Sequence, residues 1–117
     1  MALQWDFKKD FVGHMVNRDT GDICNLYTGN ALVIAVSETV TRYALHWFAA
    51  DEQHFKAMMD DEVCRKYVAQ YTFIFRNNAP VKKLVRLLTG YADIVLQGPT
   101  SEQVQRHQYA DTDTEEG

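Results

Sequence analysis

ALVIAVSETVTRYALHWFAADEQHFKAMMDDEV (residues 31–63) contains the change of period that decides the fold. Residues 31–36 are apolar at every position, the pattern of a strand covered on both faces and therefore central in its sheet. Residues 37–39 make a short polar break. Residues 40–49 then run at period two, with Tyr43, Leu45 and Trp47 on one face and Ala44, His46 and Phe48 on the other. At Asp51 the period changes. Its carboxylate suits the free N–H groups of a first helical turn, and Phe55, Met58, Met59 and Val63 come next at helical spacing. This helix is short, about two to three turns, and Asp60-Asp61 is placed to break it.

The same reading extends in both directions. Upstream, residues 11–16 alternate, with Phe11, Gly13 and Met15 on one face and Val12, His14 and Val16 on the other. Asn17-Arg18-Asp19-Thr20-Gly21 has turn chemistry, so residues 22–27 read as the returning strand of a hairpin. Thr28-Gly29-Asn30 is a second tight turn. Downstream, residues 67–76 return to period two as a fifth strand. Asn77-Asn78-Ala79-Pro80 opens a second helix, buried along Val81, Leu84, Val85 and Leu88 and wet along Lys82, Lys83 and Arg86. Gly90 caps its end, and residues 91–96 form a last short strand. The expected order is β-β-β-β-α-β-α-β. That is an α+β fold, an antiparallel sheet of about five to six strands with two helices on one face.

Charge is distributed unevenly along the chain. Residues 1–98 carry 11 basic and 11 acidic side chains, whereas residues 99–117 carry one Arg and five acids, the whole net charge of −4. A neutral body makes no field that would gather nucleic acid or anionic lipid. The segment PTSEQVQRHQYADTDTEEG has only Val104 and Tyr109 as large apolar side chains, too few to offset the entropy of ordering it. The expected organisation is a single α+β domain over residues 1–98 and a disordered acidic tail over residues 99–117. At 46% hydrophobic residues, the body can bury a core without disulfides, so Cys24 and Cys64 read as reduced thiols. No apolar run approaches the ~18 residues of a membrane helix. MALQWDFKKD carries charges where a secretory signal would be apolar, which makes a cytoplasmic location the expectation.

The residues with catalytic potential do not form a motif. His46 and His54 straddle a strand–helix boundary and can approach one another, with Cys64 a third neighbour, but no metal-ligand spacing is present. Ser37 and Ser101 sit in no nucleophile motif, and the six glycines form no phosphate-binding cluster. Asp51-Glu52 and Asp60-Asp61-Glu62 read as helix-end chemistry. No catalytic residue, metal or cofactor is expected, and an enzyme is not the favoured class.

The most unusual stretch is KYVAQYTFIFR (residues 66–76), where Tyr67, Ala69, Tyr71, Phe73 and Phe75 share one face and Arg76 ends the run. Exposed sheet aromatics can stack bases. A commoner use for such a face is packing against helices, and that reading is favoured here.

MALQWDFK (residues 1–8), LYTGNALVIAVSE (residues 26–38) and HWFAAD (residues 46–51) resemble stretches of small uncharacterised proteins encoded by mobile elements and prophages of Firmicutes. The resemblance covers less than a third of the chain. It implies a cytoplasmic bacterial setting and an accessory role, and it carries no site residues with it.

The expected function is therefore a non-enzymatic accessory protein that contacts an unidentified protein partner. An exposed sheet edge, or the tail acids Asp111, Asp113, Glu115 and Glu116, would make that contact. The alternative is a nucleic-acid-binding accessory protein using the aromatic fifth strand with Arg76 and the Lys82, Lys83 and Arg86 face. No membrane partner is expected, and a homodimer paired through a sheet edge stays open.

Overall fold

Four strands precede the first helix, as the period-two stretches require. In the computed structural model, which describes residues 2–38 and 43–97, these are β1 (Phe11–Asn17), β2 (Ile23–Tyr27), β3 (Val33–Glu38) and β4 (Tyr43–Ala49). Then come α1 (Glu52–Asp60), α2 (Glu62–Val68), β5 (Tyr71–Phe75), α3 (Lys82–Thr89) and β6 (Val95–Gln97). One sheet joins all six strands in the order β4-β3-β2-β1-β5-β6. The tail and its four candidate acids lie outside the described residues.

The α+β class and the helices on one face are as expected, with two differences in detail. The sheet is mixed rather than antiparallel, because β6 runs parallel to β5. The cause is α3: a helix between two neighbouring strands carries the chain back to its starting end, so the second strand must run with the first. There are also three helices, rather than two, among the described residues. Asp61 ends α1 and restarts the chain as the N-cap of α2, its carboxylate accepting from the N–H groups of Val63 and Cys64. Cys64, Tyr67 and Val68 then share a helical face, so the fifth strand begins at Tyr71 and Tyr67 is helical.

Of the three strands whose faces were read by strict alternation, β1 and β4 contain a bulge. In β1 the register shifts between Phe11 and Gly13, so Val12 is the extra residue and lies with Met15 in the core beneath the helices. Gly13 permits this, because a Cβ there would lie 2.2 Å from the carbonyl oxygen of Ile74 on β5. In β4 the shift falls between the partners of Ala35 and Val36, and His46 is the extra residue. Trp47 and His46 thus both turn to the helix side, while Tyr43, Leu45 and Phe48 turn away.

The main core lies between the sheet and the helices. Phe55 and Met59 of α1, Val68 of α2, and Leu84, Val85 and Leu88 of α3 meet Val12, Met15, Leu26, Ala35 and Phe73 of the sheet. Full burial of each such side chain contributes roughly 1.5–3 kcal/mol. A smaller cluster lies on the opposite face, where Tyr27, Ile34 and Val36 are covered by Leu3 and Trp5 from residues 2–10. Asn30 fixes that arm: its backbone N–H donates to Gln4 O, its Oδ1 accepts from Gln4 N, and its Nδ2 donates to Ala2 O. No helix among the described residues is long and apolar enough to cross a membrane.

Candidate interaction surface

The aromatic run on β5 belongs to the interior. Tyr71, Phe73 and Phe75 are 5%, 0% and 2% exposed beneath the helices, so they offer no platform for stacking bases. Of the nucleic-acid reading, only the cations are left at the surface: Arg76, Lys82, Lys83 and Arg86 are all exposed.

His46 and His54 are not brought together. His46 Nε2 is hydrogen-bonded with the Tyr67 hydroxyl, which lies 2.9 Å from the Tyr71 hydroxyl, so three side chains link β4, α2 and β5. β4 and β5 are separated by three strands, so this contact requires the sheet to curl around its helices. Partial desolvation holds the His46 imidazole below its ordinary pKa, which keeps it neutral at pH 7. His54 instead accepts from Ala50 N–H through Nδ1 and packs its ring on Phe48. Among the described residues no three His, Cys, Asp or Glu side chains are grouped to hold a metal ion. Cys24 is buried, and desolvation followed by the charge of Asp22 pushes its thiol pKa up, opposite to what a nucleophile needs. Cys64 is a free thiol at intermediate exposure.

The sheet edges are blunted in two ways. β4, at one edge, is interrupted by its bulge at His46, and β6, at the other, has three residues. Both devices discourage a further strand from pairing.

The outer sheet face is different. Its β4 half is filled by the arm, where Trp5, Phe7, Phe11, Tyr27 and Tyr43 form a group of aromatic rings with centroids as close as 4.6 Å. Its other half belongs to neither core cluster. There the pairings Ile23↔Val16, Val16↔Thr72 and Thr72↔Val95 align four side chains in one row across β2, β1, β5 and β6. All four are β-branched and uncharged. The next row on the same face is Asn25, His14, Ile74 and Gln97, without Asp, Glu, Lys or Arg. At roughly 4.8 Å per strand the first row spans about 14 Å. Ile23 is 56% exposed and Val95 39%.

Sequence reasoning missed this surface because it depends on strand order. Val16 and Ile23 are visible as hairpin partners, but the row reaches Thr72 only because β5 inserts beside β1. Comparison of the chain with protein families, with curated proteins and with solved structures gives no match.

Proposed function

We propose that this chain is a non-enzymatic accessory protein that acts by protein–protein contact, docking a partner on the open half of its outer sheet face. The observation that carries this reading is the row Ile23, Val16, Thr72 and Val95: apolar or weakly polar, rigid at χ1 and uncharged on a part of the sheet face that belongs to neither core cluster among the described residues. A solvated sheet face ordinarily alternates to polar side chains. The fitting partner presents an apolar, uncharged strand or helix face. Its setting is the bacterial cytoplasm, in an accessory role of a mobile element or prophage, as the resemblance of residues 1–8, 26–38 and 46–51 implies.

The test is Ile23→Glu, which places a charge at one end of the proposed row while changing an exposed side chain. Affinity purification from the cells that make the protein should recover a partner with the native chain and lose it with the variant. Equal recovery by both chains contradicts the reading. Light scattering on the eluted native chain decides whether the partner is a second copy.

A further inference from the structure

β4 is an edge strand and β5 lies beyond three others, yet their side chains meet on the helix side. Three residues make the link. The bulge turns His46 to that side, where Nε2 is hydrogen-bonded with the Tyr67 hydroxyl of α2. That hydroxyl lies 2.9 Å from the Tyr71 hydroxyl of β5. The ring centroids are 5.4 Å apart for His46 and Tyr67, 5.3 Å for Tyr67 and Tyr71, and 6.3 Å for His46 and Tyr71. His46 is exposed at the rim, Tyr67 is half-buried, and Tyr71 is enclosed.

A count of hydrogens decides how this chain responds to a proton. Two hydrogen bonds need two hydrogens, and the two phenols supply one each. Tyr71 O–H therefore donates to Tyr67, Tyr67 O–H donates to His46, and Nε2 accepts, which assigns the imidazole proton to Nδ1. A second imidazole proton makes Nε2 a donor as well. Three hydrogens then face two bonds, and one phenol hydrogen has no acceptor among the described side chains. At a contact partly closed to water, an unmade hydrogen bond and a desolvated imidazolium are both costly. We propose that His46, Tyr67 and Tyr71 form a proton-operated latch, which holds the β4 edge against α2 while His46 is neutral and releases it when His46 is protonated. Release lets water hydrate the imidazolium and the phenols, so acid shifts the population towards the open form. The groups facing the imidazole are the phenols of Tyr67 from α2 and Tyr71 from β5, and desolvation is what lowers its pKa. The latch is therefore fully closed above the ordinary imidazole pKa of about 6.5 and opens as pH falls through the lower value of the closed form.

Trp47, the next residue on β4, supplies the readout. Its indole Nε1 is buried without a hydrogen-bond partner among the described residues, as is that of Trp5 on the arm. Exchange of the two indole N–H groups with solvent, followed by NMR on the full chain, compares the latch side with the outer side. At about pH 5 the Trp47 N–H should exchange at least about threefold faster in the native chain than in His46→Gln, which keeps an acceptor but takes up no proton. At about pH 7.5 the two chains should exchange alike, and Trp5 should not distinguish them at either pH. Tyr67→Phe removes the middle of the latch, so its Trp47 N–H should exchange faster than the native one even at about pH 7.5. Nitrogen-15 shifts of the native imidazole should show Nε2 without a proton at that pH. Equal Trp47 exchange in the native chain and His46→Gln at both pH values overturns the proposal. So does an acceleration that Trp5 shares equally, unchanged exchange in Tyr67→Phe, or a proton on Nε2 at about pH 7.5. None of these readouts involves Ile23 or Val95, so failure here leaves docking on the outer sheet face standing.

Discussion

On the helix side of the sheet, Met15, Leu26 and Phe73 are fully enclosed, each in contact with side chains from helices that the same chain supplies. On the outer side the covering is unequal: Trp5 and Leu3 lie over Tyr27, Ile34 and Val36, while Val16, Ile23, Thr72 and Val95 form an aligned row outside both clusters. The two sides are built from the same kinds of β-branched and aromatic residue, so composition does not separate them. The difference lies in the number of elements available to cover each. Among the described residues three helices serve one side, and the arm of residues 2–10, tied to Asn30 and laid over Tyr27, Ile34 and Val36, serves the other.

Substitutions should rank accordingly. Phe73→Ala, at the centre of the enclosed side, should cost about 3–5 kcal/mol in denaturant unfolding. A cost below about 1 kcal/mol would mean that the helices do not close over it. Gly13→Ala should destabilise by about 2 kcal/mol or more, since the added carbon meets the Ile74 backbone rather than a side chain that can move. Trp5→Ala, at the half-buried arm, should cost about 1–2 kcal/mol, in proportion to its smaller burial. Ile23→Glu should change stability by less than about 0.5 kcal/mol, because its side chain supports no cluster. A larger loss would show that the open row is structural.

The smallest effect is a pH dependence. The His46 pKa is lowered in the folded chain by desolvation, so the unfolded chain takes up its proton first as pH falls below about 6.5. That component of stability is complete above about pH 7.5, is lost as pH drops through 6.5 towards the folded value, and should be absent from His46→Gln. Asp6 and Asp93 act in a separate, more acidic window. Backbone N–H groups of Lys9 and Lys8 hold the Asp6 pKa down, and the Arg65 side chain holds down that of Asp93, so both contributions are lost as pH falls through the carboxylate range.

Much of the architecture was legible from period and caps. The change at Asp51, the stripe Val81, Leu84, Val85 and Leu88, and the burial of Tyr71, Phe73 and Phe75 all stem from side-chain spacing. The faces of β1 and β4 were not, because a single bulge residue inverts alternation beyond it and leaves no fixed mark in the sequence. Tyr67 was misplaced for a related reason. Tyr67, Ala69 and Tyr71 alternate convincingly, but the first belongs to a helix that Asp61 restarts and Cys64, Tyr67 and Val68 complete. The candidate surface was the least legible feature, since its row joins residues up to 79 positions apart that meet only through the insertion of β5 beside β1.

The most direct test of the open row is site-specific photocrosslinking in the cells that make the protein, with a benzophenone side chain placed in turn at positions 23, 95 and 63. Val63 is the control, a lone apolar side chain 77% exposed on α2 and away from the row. Docking on the outer face predicts one discrete adduct of the same mass from positions 23 and 95 and none from position 63. No adduct from positions 23 and 95, or the same adduct in equal yield from position 63, contradicts it.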